Sequence, residues 1–216
     1  MSRTQQNVKS VSKSLANRKA GRPKSSQLQG DALKEHVIDV ASLVYGEWGY
    51  HESSVEKIAK AAGISRPLFY RLFDSKEQIV DIVVQQKNTE LLLATESAIK
   101  PLTELMPIIE AGIDVYFKWC KKNRLVVNTI YREINDPLTP ACKHYQQVID
   151  IQMANYFAKF KQIGLLRLQK ELFLALMKVV EYAGNETIRP GQQEQDYADM
   201  QQKIVRRIVF STLASE

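Results

Sequence analysis

Cysteine is nearly missing from this chain. Cys120 and Cys142 are the only two in 216 residues, too few for a disulfide framework, and a pair of buried free thiols in a reducing compartment fits them. Histidine is almost as scarce: of His36, His51 and His144, only the last has a neighbour near metal-ligand spacing, Cys142, and that pair alone is a weak metal motif. No glycine-rich phosphate loop and no nucleophile motif occurs. The chain therefore does not read as an enzyme, and no catalytic residue, metal or cofactor is expected. Long apolar runs are missing too. Nothing approaches the roughly 18 uncharged apolar residues of a membrane span, and no apolar block at the start has the form of a secretory signal. A soluble cytoplasmic protein with no membrane partner is expected.

Acidic residues are absent from the first 29 positions. Arg3, Lys9, Lys13, Arg18, Lys19, Arg22 and Lys24 give that segment +7 while the whole chain is +6, so residues 30–216 carry −1. The basicity belongs to a tail. Rich in Ser, Gln and Asn and poor in apolar residues, residues 1–29 cannot bury enough surface to fold alone, and they read as a basic, disordered arm. An acid-free, Ser-rich leader also resembles a mitochondrial transit peptide. Against that, its apolar residues are few (Val8, Val11, Leu15), and it ends in AGRPK, where a proline between basic residues favours an extended strand suited to a narrow groove. Arg22 is the candidate minor-groove residue. Whether the arm binds DNA or is only a solvated extension stays open at the level of sequence.

From Asp31 onward the chain reads as helices. Val37, Ile38, Ala41, Val44, Tyr45 and Trp48 recur at helical spacing up to Gly49, a usual terminator. Ser53 or Ser54 can cap a short helix with Val55, Ile58, Ala59 and Ala62 as its apolar face and Gly63 as its end. Ser65 caps a third helix, with Pro67 in the first turn, where its missing N–H costs nothing. Ser75 with Gln78 has the form of a capping box for a long fourth helix. Two short helices joined by a tight glycine-containing turn are the arrangement of a helix-turn-helix.

The segment GISRPLFYRLFDSK, Gly63 to Lys76, crowds Leu68, Phe69, Tyr70, Leu72 and Phe73 around Arg66 and Arg71. A short helix that is both apolar and basic suits an element buried on one face, Phe69 and Phe73, and set into a DNA groove on the other. Arg66 is placed to donate to guanine, Pro67 and Leu68 to pack on thymine methyls, and Tyr70 and Lys76 to reach phosphates. A packed helical hairpin with solvated charges is the alternative that spacing alone leaves open.

Residues 30–79 also resemble the DNA-binding domain of the tetracycline-repressor (TetR) family. The likeness runs in one register through Ala41, Val44, Tyr45, Glu47, Gly49, Tyr50, Ser53, Ser54, Val55, Ile58, Ala59, Ala62, Gly63, Ile64 and Ser65. It continues through Phe69, Tyr70, Phe73, Ser75, Lys76, Glu77 and Ile79. The resemblance implies an all-α protein of bacterial type: a three-helix helix-turn-helix head over 30–79 and a helical bundle over 80–216 for ligand binding and dimerisation. It also implies that Ser54, Arg66, Pro67, Leu68, Tyr70 and Lys76 line double-stranded DNA. Two positions depart from the family pattern: Leu68 stands where a small polar residue is common, and Leu72 where Tyr or His commonly touches phosphate.

The body reads as helices to about Ala98 and near Pro107–Lys122, Arg124–Asn135, Pro140–Ile163, Gln169–Glu186 and Asp196–Leu213. The last carries Met200, Ile204, Val205, Ile208, Val209 and Leu213 on one wide side. In the family the last two helices pair across a two-fold axis, which implies a homodimer interface of Phe173, Leu176, Val180, Ile204, Val205, Ile208 and Val209. Candidate ligand-pocket residues, aromatic bodies with polar tips, are Tyr116, Trp119, Cys120, Tyr131, His144, Tyr145, Met177 and Tyr182. Glu110, Asp114 and Glu133 would meet a cationic ligand if they face inward, although charged side chains usually face water. The function implied is a one-component repressor released from a palindromic operator by a small molecule. The alternative is an architectural protein that binds A·T tracts through the basic arm.

Overall fold

The computed structural model describes residues 30–165, 168–191 and 195–214. Among them are nine α-helices and no strand: α1 (Asp31–Glu52), α2 (Val55–Ala62), α3 (Arg66–Leu72), α4 (Lys76–Ile99), α5 (Leu105–Lys122), α6 (Arg124–Glu133), α7 (Pro140–Gln162), α8 (Lys170–Glu186) and α9 (Gln195–Leu213). The helices form two units. Among the described residues, one holds 30–86 together with Arg132–Lys143, and the other holds Lys87–Tyr131 and those from His144 onward. The sequence placed a boundary near residue 79; it gave no sign that 132–143 would join the head.

In the first unit the local signals act as read, with two refinements. Gly49 takes φ 76 and ψ 177, which breaks the helical dihedrals of α1 without ending it, and one further turn follows. Both serines before α2 are used: the Ser54 hydroxyl accepts from Lys57 N–H at 3.2 Å, while Ser53 Oγ donates to the Gly49 carbonyl at 2.6 Å. Gly63 ends α2 in the left-handed region (φ 68, ψ 35), and Ile64 N–H reaches back to Ala59 O at 3.0 Å, so the last carbonyls are satisfied. Ser65 caps α3 through Leu68 N–H at 3.3 Å. At α4 the Ser75 hydroxyl accepts from Gln78 N–H at 3.2 Å, but the returning Gln78 side chain takes Asp74 N–H at 2.7 Å. The capping box is thus shifted by one residue.

The core of this unit is Val37, Val40, Ala41, Val44 and Tyr45 of α1, Ile58 and Ala59 of α2, Phe69 and Phe73, and Ile79, Val80, Val83 and Val84 of α4, all buried. His36, also buried, bonds Ala62 O at 3.2 Å through Nε2, tying α1 to the corner between α2 and α3.

The second unit is built on an aromatic centre. Tyr156, Phe157, Phe160 and Phe173 lie with ring centroids 5.0–5.9 Å apart, packed with Ile108, Ile113 and Phe117 of α5 and Val205, Val209 and Leu213 of α9. Lys159 is buried beside them and donates to Lys100 O, just past the C-terminal end of α4, at 2.8 Å, where the helix dipole favours a cation. Arg206 of α9 pairs with Asp114 and, at 3.4 Å, with Glu110 of α5. Both acids are therefore partnered within this unit, and Glu110, at 53% side-chain exposure, lies at its surface.

Glycine sets the approach of α8 to α5. A Cβ added at Gly184 would stand 2.6 Å from the Tyr116 ring and 3.4 Å from Cys120 Sγ. Gly184→Ala would gain about 1 kcal/mol of helix propensity, but overpacking a closed core costs about 1–3 kcal/mol. A packed ring cannot swing aside as a flexible chain end can. Gly184→Ala should therefore lower Tm in a thermal melt; an unchanged or higher Tm would mean that the ring repacks freely.

Candidate nucleic-acid interface

Helix α3 has seven residues, too few to be stable alone. It is fixed from below by Phe69, fully buried, with Phe73, also buried, closing its C-terminal end, their rings 5.5 Å apart. The same burial turns Arg66, Pro67, Tyr70 and Arg71 to solvent, with Tyr70 50% exposed. Leu68 and Leu72 are half-buried at its margin. The outward surface therefore offers two guanidiniums, a proline ring and a phenol on one helical turn and a half, and no carboxylate of α3 opposes them.

Ser54, at the start of α2, uses a lone pair for the cap but keeps its O–H to donate. Lys76 is half-buried: its ammonium donates to Tyr50 O at 3.0 Å and lies 4.2 Å over the Tyr50 ring. The Tyr50 hydroxyl in turn donates to Glu77 at 3.2 Å. Burial, then the Glu77 carboxylate, pushes the Tyr50 phenol up from its ordinary range. Arg22 lies outside the described residues.

Sequence reasoning missed one pairing here. Glu133 is buried in this unit and accepts from Tyr45 Oη and from Tyr50 N–H, each at 2.8 Å. Burial first, and Glu133 second, pushes the Tyr45 phenol up, so it stays a donor. A carboxylate that would meet a cationic ligand only if it faced inward does face inward, and there accepts from two protein donors. Nothing in the local sequence pairs residues 88 apart, although a Tyr on the buried stripe of α1 needs a partner for its hydroxyl.

In the second unit the candidate pocket residues separate. Tyr116, Trp119 and Cys120 are together on α5, where Asn185 Nδ2 donates to Tyr116 Oη at 3.0 Å. Burial pushes the Cys120 thiol up, which makes it inert. Tyr145 donates to Glu181 at 2.7 Å, with Lys178 bonded to both. Tyr131 is pushed up by burial and then by Glu181 and Glu186. Met177 packs against the core of this unit, His144 is half-buried, and Tyr182 is 57% exposed, so it does not line an interior. Glu181 and Asn185 were not anticipated, since a polar residue on a helix does not announce which way it faces. Asn185 Oδ1 and Trp119 Nε1 are buried without a hydrogen-bond partner among the described residues.

The expected dimer residues divide as well. Phe173, Leu176, Val205 and Val209 lie in this unit's own core, Val180 is half-buried, and Ile204 and Ile208 are 44% and 42% exposed. Adjacent positions on a helix differ by about 100°, so one wide stripe became two faces.

Residues 37–83 match the family of bacterial regulatory proteins, tetR family. The HTH-type transcriptional activator FasR of Mycolicibacterium smegmatis is 25% identical over 119 residues, 55% of this chain and 53% of FasR. The fatty acid metabolism regulator protein of Bacillus subtilis is 39% identical over 64 residues, 30% of this chain and 33% of that protein. The chain therefore spans about half or less of the length of these curated relatives. The structure of the transcriptional regulator FadR from Bacillus subtilis in complex with stearoyl-CoA shares the fold, with a TM-score of 0.67 at 19% identity over 79% of this chain and 95% of FadR.

The two serine caps hold the helix-turn-helix in register. Ser54→Ala and Ser65→Ala should each destabilise the protein by about 1 kcal/mol in chemical denaturation; a change within about 0.5 kcal/mol, the range of an ordinary surface substitution, would mean that water replaces both hydroxyls at no cost.

Proposed function

We propose that this chain, a member of the TetR family, is a homodimeric transcriptional regulator that binds an operator through α3 and is released from it by a fatty acyl thioester. The observation that carries the DNA-binding part is the exposed Arg66, Pro67, Tyr70 and Arg71 on a helix pinned from below by Phe69, within the residues matched to the family. Arg66 donates to guanine in the major groove, Pro67 and Leu68 pack on thymine methyls, and Ser54, Tyr70 and Lys76 take phosphates. The family match falls on 37–83 and not on the basic arm, which favours operator recognition over architectural binding.

The ligand class rests on the names of the relatives, two of which are regulators of fatty acid metabolism or bind stearoyl-CoA, and on chemistry in the second unit. A cleft of about 290 Å³ is floored by Phe117 and Ile188 and edged by Lys118, Lys121 and Arg124; its cations suit the phosphates of a thioester cofactor. The buried Asn185 Oδ1 and Trp119 Nε1 offer an acceptor and a donor to the polar part of a chain in the interior. To act, the ligand must bind the DNA-free arrangement more tightly, because only differential affinity moves the equilibrium. Repression is the sign we propose; it is set by where the operator lies relative to the promoter. In fluorescence anisotropy with a duplex selected from a random pool, stearoyl-CoA should release the protein, while Arg66→Ala should cost about 1–3 kcal/mol and relax preference at one base pair per half-site. Binding indifferent to both would sink this function.

Dimerisation rests on the outward faces of the last two helices. Met200, Ile204 and Ile208, each 42–45% exposed, form an apolar row on α9, and Tyr182 stands exposed on α8. A second copy laying the same row against this one buries both by two-fold symmetry. Ile208→Glu should yield a monomer by light scattering that no longer binds the operator, since an unpaired buried charge is costly; an intact dimer would move the interface elsewhere.

A further inference from the structure

The Glu133 carboxylate is buried at a cost in desolvation. Only 9% of the residue is exposed, and a buried carboxylate costs several kcal/mol unless its lone pairs are used. They are used by two residues at one place in the head. Gly49, with ψ 177, turns the following peptide out of the helical ladder of α1, and the freed Tyr50 N–H donates to Glu133 at 2.8 Å. One turn earlier the buried Tyr45 hydroxyl donates to the other oxygen at 2.8 Å. The loop that follows Glu133 is held in the same way: Thr139 Oγ1 lies 2.9 Å from both Glu133 O and Asp136 O, and Asp136 bonds His51 at 2.7 Å.

What Glu133 fixes is the platform of a DNA-facing cation. Tyr50 carries Lys76 on its carbonyl and ring and holds Glu77 through its hydroxyl, and both residues open α4. We infer that Glu133 is a positioning residue for DNA binding: by clasping Tyr45 and Tyr50 it sets the end of α1, and through Tyr50 the Lys76 ammonium, in the place from which phosphate is reached. The residue is delivered by α6, whose first eight residues, through Tyr131, belong to the other unit. This role deepens the operator-binding function proposed above and rests on it.

The test uses the whole protein and a duplex selected by the wild type from a random pool, titrated across several salt concentrations. Glu133→Ala should bind about tenfold more weakly and flatten the log–log salt dependence by about 1.8 per dimer, about 0.9 for each Lys76–phosphate pair that no longer forms. Glu133→Gln keeps an acceptor for Tyr50 N–H and should restore the slope. Tyr45→Phe leaves that bond in place and should keep the slope too. Reduced affinity with an unchanged slope would make Glu133 a stabilising residue only, and unchanged affinity and slope would overturn the role altogether. Should the alanine variant fail to fold, Glu133→Asp, one methylene too short to hold both donors, is read by the same criteria. Hydrogen exchange at the Tyr50 amide gives a readout without DNA: fast exchange in Glu133→Ala supports the clasp, and protection equal to wild type refutes it. If the wild type selects no duplex while the amide responds, the operator function fails and the clasp stands as a purely structural interaction.

Discussion

The burial of Phe69 and Phe73 is the constraint on which the head depends. A helix of seven residues does not form by itself, because nucleation is unfavourable and too few hydrogen bonds follow it. Two buried phenylalanines contribute about 3–6 kcal/mol, which fixes both the existence of α3 and its rotation about its axis. Once that rotation is set, Arg66, Tyr70 and Arg71 have no choice but to face out. The basic surface is therefore a consequence of the apolar one, and the same burial orders the α2 corner, where Gly63 and the Ser65 cap bring the chain round.

The second unit solves the opposite problem. Its helices are long enough to form, and what must be controlled is how closely they pack. Small residues at Gly112 and Gly184 bring Tyr156 and Tyr116 against the opposing backbone, while Arg206 pairs with Asp114 across α9 and α5 and the buried Lys159 bonds the carbonyl just past α4. A core built this way leaves a few polar atoms inside, Asn185 Oδ1 and Trp119 Nε1 among them. Such atoms cost stability.

The chain solves these two problems separately but does not keep its segments separate. Residues 132–143 leave the bundle and join the head, so that α6 and α7 each begin or end in the other unit. The chain passes between the two units within α4, α6 and α7, and the buried Glu133 closes α6 on the head side.

Much of this was legible in the sequence, because it rests on local rules. Caps at Ser54, Ser65 and Ser75, the terminator at Gly63, the 3.6-residue apolar spacing and the greasy, basic α3 all act within one or two turns, and the helix limits in the bundle followed from the same signals, whereas Gly49 kinks α1 and does not end it. Tertiary structure decided whatever depends on which way a side chain turns once its helix is packed. Val205 and Val209 went inward while Ile204 and Ile208 went outward, because a stripe wider than one face must be divided. Glu110 and Asp114 found Arg206, and Tyr182 met water. Glu133 found Tyr45 across 88 residues, a pairing no periodicity records, since a buried charge chooses its partner by where the fold brings donors together and not by distance along the chain.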